Sequence, residues 1–125
     1  PGVAPNGGPG EVQEAQELVR GILIEQVVGD YILDVVRATR DPSEHGLDLD
    51  RYIEFGASPR ASIGLAAASR AHAFLDGRAY VTPDDVKSVG MDVLRHRILL
   101  TYEAEAEQLS ADTLIRNLFD SVPAP

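Results

Sequence analysis

Apolar residues recur at helical spacing in several stretches of this chain, and the residues between those stretches are helix starts and stops. From Glu11 to about Gly21, Val12, Ala15, Val19 and Ile22 fall three or four apart. Glu11, Glu14 and Glu17 occupy the early turns of that stretch, where the helix dipole favours anions. Leu23 to Val28 is a short apolar run without a period, and Gly29 offers a break. The second helix is then expected from about Asp30 to Arg40, with Ile32, Val35, Val36 and Thr39 on one face and Arg37 and Arg40 near its C-terminal end.

Asp41 to Phe55 opens with Asp-Pro-Ser-Glu-His-Gly and holds no period, so a long loop is expected there. Ser58 and Pro59 then read as a capping hydroxyl and a proline at the first helical position. The third helix follows to about Asp76, small or apolar on nearly every side, and Gly77 stops it. Thr82-Pro83-Asp84-Asp85 repeats the start logic for a fourth helix, roughly Pro83 to His96. Ile98 to Gln108 fits either a loop or a short hairpin, because Ile98-Leu99-Leu100 resembles a strand while Tyr102 to Glu107 alternates with weak strand formers. Ser110 caps a last helix whose stripe is Leu114, Ile115, Leu118, Phe119 and Val122, ended by Pro123. The expectation is an all-α helical bundle of about four to five helices, with one short hairpin at most. Residues 1–10, with three Pro and four Gly, read as a flexible leader or linker, and residues 11–125 as the folded domain.

Composition narrows the function classes. Eleven Lys and Arg against twenty Asp and Glu leave a net charge of −9, the wrong sign for neutralising a nucleic-acid backbone. The absence of Cys excludes disulfides, thiolate nucleophiles and cysteine-ligated metals. No apolar run approaches a membrane span, and no basic and apolar leader opens the chain. No nucleic-acid or membrane partner is expected, and the expected location is cytoplasmic. The chain begins with Pro, which suggests a piece of something longer.

Nucleotide hydrolysis needs a Gly-rich loop ending in Gly-Lys-Ser or Gly-Lys-Thr, whose N–H groups cradle phosphates. The single lysine, Lys87, precedes Ser88, but Val86 and Val81 stand where the two glycines belong, so this sequence holds no such loop. The motif that stands out is Gly56-Ala57-Ser58-Pro59-Arg60-Ala61, which sets an arginine at the start of a helix after a long loop. Helix N-termini favour anions, and a guanidinium adds a fork matched to phosphate oxygens. The same charge opposes the dipole by about 0.3–1 kcal/mol, so a purely structural reason for Arg60 is weak unless it snorkels or pairs with Glu54 or an Asp.

Gly-Ala-Ser-Pro-Arg-Ala, followed by Phe-Leu-Asp-Gly-Arg-Ala-Tyr-Val-Thr-Pro-Asp-Asp-Val and Val-Leu-Arg-His-Arg-Ile, resembles the C-terminal helical lid of MoxR-type AAA+ ATPases, with residues 56–98 as the specific part. The resemblance implies an AAA+ lid bundle in which Arg60 is the sensor-2 arginine facing the ATP γ-phosphate, both as catalytic and as cofactor-binding residue. It also implies ATP and Mg as cofactors of a parent ATPase whose P-loop core, magnesium-binding carboxylates and arginine finger lie upstream of this sequence. The implied partners are that core, neighbouring subunits of a hexameric, chaperone-like ring, and a von Willebrand factor A domain protein. The parent is then the enzyme, and this segment alone hydrolyses nothing. The alternatives are a stand-alone helical interaction module and the lid of a magnesium-chelatase-like subunit.

Other residues have plainer readings. Arg95, His96 and Arg97 suit the C-terminal turn of the fourth helix, with a nucleotide or subunit contact as the alternative. His45, His72 and His96 show no ligand spacing, Asp48-Leu49-Asp50 lacks the rest of a calcium loop, and Glu103, Glu105 and Glu107 read as a solvated face. No metal site is expected. Arg70 and Arg78 are surface residues by default, or subunit contacts.

Overall fold

The computed structural model describes residues 9–46 and 49–125, through which run six helices and one two-stranded sheet. Most of the expected leader and Asp48 lie outside the described residues. The first helix, α1, spans Pro9–Arg20 and starts two residues before Glu11, with a proline at the position that tolerates one. It is peripheral: Ala15 and Leu18 are exposed, and among the described stripe residues only Ile22, just beyond its end, is buried.

The second helix, α2, spans Gln26–Arg40 and runs straight through Gly29, so the expected break is misplaced. Val28 and Tyr31 are both buried on its inner side, and that packing outweighs the cost of about 1 kcal/mol for an interior glycine. The chain turns instead between α1 and α2, where Leu23 pairs with the segment before Val81 through Leu23 N–H to Ala79 O at 2.9 Å and Val81 N–H to Leu23 O at 2.8 Å.

The expected loop after α2 contains two short elements, a 3-10 turn over Pro42–His45 and the strand β1 over Ile53–Phe55. β1 pairs antiparallel with β2, Leu99–Leu100, matching Ile53 to Leu100 and Phe55 to Leu99. The second half of the chain therefore contains no local hairpin; its strand finds a distant partner. Tyr102–Ala106 forms a short helix, α5, because the Thr101 hydroxyl accepts the Ala104 N–H at 3.2 Å.

The centre of the bundle is the hairpin of α3, Ala61–Leu75, and α4, Pro83–Arg95. α3 ends in a Schellman turn, with Gly77 at φ +77°, Arg78 N–H on Ala73 O and Gly77 N–H on Phe74 O. α4 opens with a capping box between Thr82 and Asp85. α6, Ala111–Ser121, is capped by Ser110 and lays its stripe of Leu114, Ile115, Leu118 and Phe119 into the core. Helices α4 and α6 meet closely at Gly90, where a Cβ would lie 2.2 Å from the Phe119 ring. Tyr31 and Val35 of α2, Leu65 of α3, Val86 and Leu94 of α4, and Ile115 and Leu118 of α6 form the buried centre. Among the described residues, no helix is long and apolar enough to cross a membrane.

Candidate functional site

The Gly56-Ala57-Ser58-Pro59-Arg60-Ala61 motif divides into residues that anchor and residues that are presented. Gly56 lies directly on the end of α2: a Cβ there would sit 2.2 Å from the Thr39 carbonyl oxygen and 2.7 Å from Arg40 Cα. Only glycine permits that approach. The next residue, Ala57, is fully buried and donates its N–H to Thr39 Oγ1 at 2.9 Å, while the same hydroxyl donates to Val36 O at 2.6 Å. Thr39, an apparent stripe residue, is thus the polar clamp that holds the entry to α3. Ala61 is also fully buried.

Between these anchors Ser58, Pro59 and Arg60 are exposed. Ser58 does not cap through its hydroxyl, contrary to the sequence expectation. The three residues form a tight turn that leads into the helix by backbone bonds, Ala61 N–H to Ser58 O at 2.8 Å and Ser62 N–H to Pro59 O at 3.2 Å. The N–H groups of Ile63 and Gly64 likewise go to the Arg60 carbonyl, at 3.0 and 3.4 Å, so the first turn is satisfied without a side-chain cap, and the Pro59 carbonyl also accepts the Ser62 hydroxyl at 2.7 Å. Arg60 has helical dihedrals, φ −64° and ψ −23°, and stands immediately ahead of α3. Neither Glu54 nor any Asp pairs with it among the described residues, which removes the ion-pair explanation for its charge.

Arg37 and Arg40 of α2 border the same corner, lining a cleft of about 280 Å³ with Leu33, Val36, Pro59 and Ser62. A neighbouring, more apolar cleft of about 320 Å³ runs between α2 and α3 over Ile24, Ile32, Leu33, Ile63 and Ala66. Ile63 is 69% exposed, although it belongs to the central helix.

Several other arginines, Arg70, Arg78 and Arg95 among them, are used within the fold. Arg78 is an internal cation, where the sequence suggested a surface residue. Its guanidinium donates to both carboxylate oxygens of Asp85 at 2.6 Å and to Asp76 Oδ2 at 2.9 Å. Asp85 is wholly buried, and it also accepts the Thr82 N–H at 2.7 Å and faces His72 Nδ1 at 2.6 Å. The Arg78 hydrogen bonds, more than any other partner, hold its carboxyl well below the usual carboxylate range against the opposing effect of burial. The capping-box position of Asp85 is legible in the sequence; its partnership with Arg78 is not. Arg70 donates to Ile22 O at 3.2 Å, tying α3 to the segment after α1. Arg95 reaches Asp112 at 2.6 and 3.2 Å and Asp92 at 3.1 Å, joining α4 to α6. The Asp112 bonds raise its already high pKa. Among the described residues, no group of three or more His, Asp and Glu is placed to hold a metal ion.

Residues 47–118, more than half of the chain, match the AAA lid domain family, and the chain belongs to that family. Its relatives include Chaperone MoxR1 of Mycobacterium tuberculosis, 42% identical over 117 residues that cover 93% of this chain and 31% of that protein. Protein MoxR of Methylorubrum extorquens is 35% identical over 118 residues, covering 89% of this chain and 34% of that protein. A crystal structure of a candidate ATPase from Cytophaga hutchinsonii matches with a TM-score of 0.89 at 40% identity, over 93% of this chain and 36% of that one. The resemblance read from the motifs is therefore correct: this is an AAA+ lid of the MoxR type. The chain spans about a third of the length of these relatives.

Proposed function

We propose that this lid brings Arg60 against the γ-phosphate of ATP bound by an AAA+ core in a longer protein, and ties lid angle to the presence of that phosphate. The observation that carries the reading is an arginine whose side chain has no partner among the described residues, presented from a turn whose leading side, Gly56 and Ala57, is locked to α2 and whose far side, Ala61, is buried. The residues suit a phosphate group. A planar fork of donors stands at a helix start, and no carboxylate competes for it among the described residues.

ATP supplies the transferable phosphoryl group, and magnesium belongs with it and with core carboxylates. What the lid's own residues do is positional. Arg60 offers oriented positive charge where charge builds up during transfer, and Gly56, Ala57 and Thr39 fix where that charge stands. Because the clamp joins the arginine to α2 and α3 together, a pull on Arg60 is a pull on the bundle. The exposed apolar cleft beside it, over Ile24, Leu33 and Ile63, suits packing against the core. In this reading the lid serves a cytoplasmic, hexameric, chaperone-like ring. Its partners are its own core, the neighbouring subunits and a von Willebrand factor A domain protein.

The test is Arg60→Ala in the intact protein, with turnover expected to fall by about 10²-fold, the scale for losing one preorganised charge-stabilising donor. Arg60→Lys keeps the charge without the fork and should recover ATP binding better than hydrolysis. Wild-type turnover and nucleotide affinity in Arg60→Ala would remove the sensor role. The exposed apolar cleft would then favour an interaction module.

A further inference from the structure

We infer that Arg97 is a second phosphate-binding arginine of the Arg60 site, reaching the same nucleotide from the end of α4. The inference rests on the reading of Arg60 as the arginine that faces phosphate.

Three observations carry it. First, the antiparallel α3–α4 hairpin returns the end of α4 to the start of α3, and the guanidinium of Arg97 lies over Gly64. A Cβ built on Gly64 would be 3.5 Å from Arg97 Nη2 and 4.0 Å from Cζ. Gly64 is four residues after Arg60, and Arg60 already has helical dihedrals, so the two positions share one face of the helix. Second, Arg97 lies past the last turn of α4, where a cation would ordinarily serve the carbonyls of its own helix, yet its guanidinium crosses to the neighbouring helix. Third, Arg97 is exposed, and its side chain has no hydrogen bond or ion pair among the described residues. Its neighbour Arg95, two residues earlier, is held by Asp112 and Asp92.

Two permanently charged guanidinium groups on one face repel each other, and neither is paired with a carboxylate among the described residues. In a chain with a net charge of −9, acidic side chains were available to neutralise that face and do not. Such an arrangement is complementary to a polyanion supplied from outside. A phosphate chain, with several oxygens along its length, can accept a fork from each of two helices where a single carboxylate cannot. Arg97 is thus a binding and positioning residue, while Arg60 remains the group aimed at the reacting phosphoryl.

The experiment is a double-mutant cycle in the intact protein with Arg60→Ala, Arg97→Ala, Arg97→Lys and the double variant. Affinities for fluorescent ATP, ADP and AMP analogues are measured by titration, alongside turnover and melting temperature. Arg97→Ala is expected to weaken ATP binding about tenfold and ADP binding less, to leave AMP binding and melting temperature unchanged, and to be partly rescued by Arg97→Lys. Its effect should also shrink in the Arg60→Ala background, as for two groups on one ligand. Equal ATP, ADP and AMP affinities in Arg97→Ala and wild type overturn the inference, as does an equal loss for all three. If Arg60→Ala loses ATP discrimination while Arg97→Ala does not, only the second arginine is refuted. If neither variant changes ATP affinity or turnover, the reading of Arg60 falls as well.

Discussion

At the closed end of the α3–α4 hairpin, Arg78 gives two hydrogen bonds of 2.6 Å to the buried carboxylate of Asp85, which is also held by Thr82 and faces His72. At the open end, Arg60 and Arg97 approach the same helix and have no acidic partner among the described residues. Both ends carry arginine beside a helix terminus: the closed end neutralises Arg78 internally, whereas at the open end Arg95 is held by Asp112 and Asp92 and Arg60 and Arg97 are left without an acidic partner among the described residues. An arginine paired on all sides explains itself through the fold, because removing its partner leaves a charge in a dry place. On the proposed reading, the unpaired Arg60 and Arg97 at the open end are explained by an anion that the fold does not contain. The contrast, on that reading, gives stability to one end of the hairpin and ligand binding to the other.

The sharpest way to break that contrast is Asp85→Ala. Loss of the carboxylate strands Arg78, which is mostly buried, and empties the cap of α4, so the 125-residue chain should lose about 3 kcal/mol. Denaturant unfolding measures it. A loss below about 1 kcal/mol would mean that the closed end is as dispensable to the fold as the open end.

Gly56→Ala tests the seat of Arg60 from the opposite direction. The added methyl meets backbone at 2.2 Å, which cannot rotate aside, and the expected cost is about 2 kcal/mol from overpacking. In the intact protein this variant should also lower turnover beyond its effect on stability, since the turn carrying Arg60 must move away from Thr39. A variant that is less stable but turns over ATP at the wild-type rate would show that the clamp on Thr39 does not place the arginine.

A smaller effect follows from acid. The carboxyl of Asp85 is held below its ordinary value of 3.8, so the folded state binds fewer protons than the unfolded state in that range. Its contribution is then complete above about pH 4 to 5 and is lost as pH falls through the folded value. Protonation weakens the bond to Arg78 but leaves a group that still fills the site, so the loss should be smaller than in Asp85→Ala. The acid limb of a stability profile should flatten in Asp85→Asn. An identical limb in both proteins would assign the acid sensitivity to other carboxylates.

How far the two ends were legible in the sequence follows from where their information lies. The Ser-Pro-Arg turn, the Thr82 cap and the stripe of α6 are local patterns, and the sequence shows each within a residue or two, although Ser58 caps through backbone instead of its hydroxyl. Gly29 misled because propensity is a weak term beside the burial of Val28 and Tyr31. The pairing of β1 with β2 could not be read, since two or three residues carry no period and the partner is distant in sequence. Arg78 looked like a surface residue for the same reason: its partner is fixed by the turn of the hairpin, which no spacing rule encodes. Arg60 was visible through its motif, whereas Arg97 gained meaning only when the hairpin brought it to Gly64.

The smallest expected effect is the one that best separates the two ends. Arg60→Ala in the 125-residue chain removes a cation from the positive end of a helix dipole and breaks no hydrogen bond or ion pair among the described residues. Stability should therefore change by no more than about 1 kcal/mol, and in the stabilising direction if the dipole term dominates. Salt sharpens the reading. If the gain comes from relieving repulsion with the dipole and with Arg97, it should shrink as ionic strength rises, because exposed charges are screened over about 10 Å at 0.1 M. A loss of 2 kcal/mol or more, insensitive to salt, would mean that Arg60 packs into the structure and is held there for the sake of the fold. The start of α3 would then resemble the Arg78 end, and the case for an external anion would lose its physical basis.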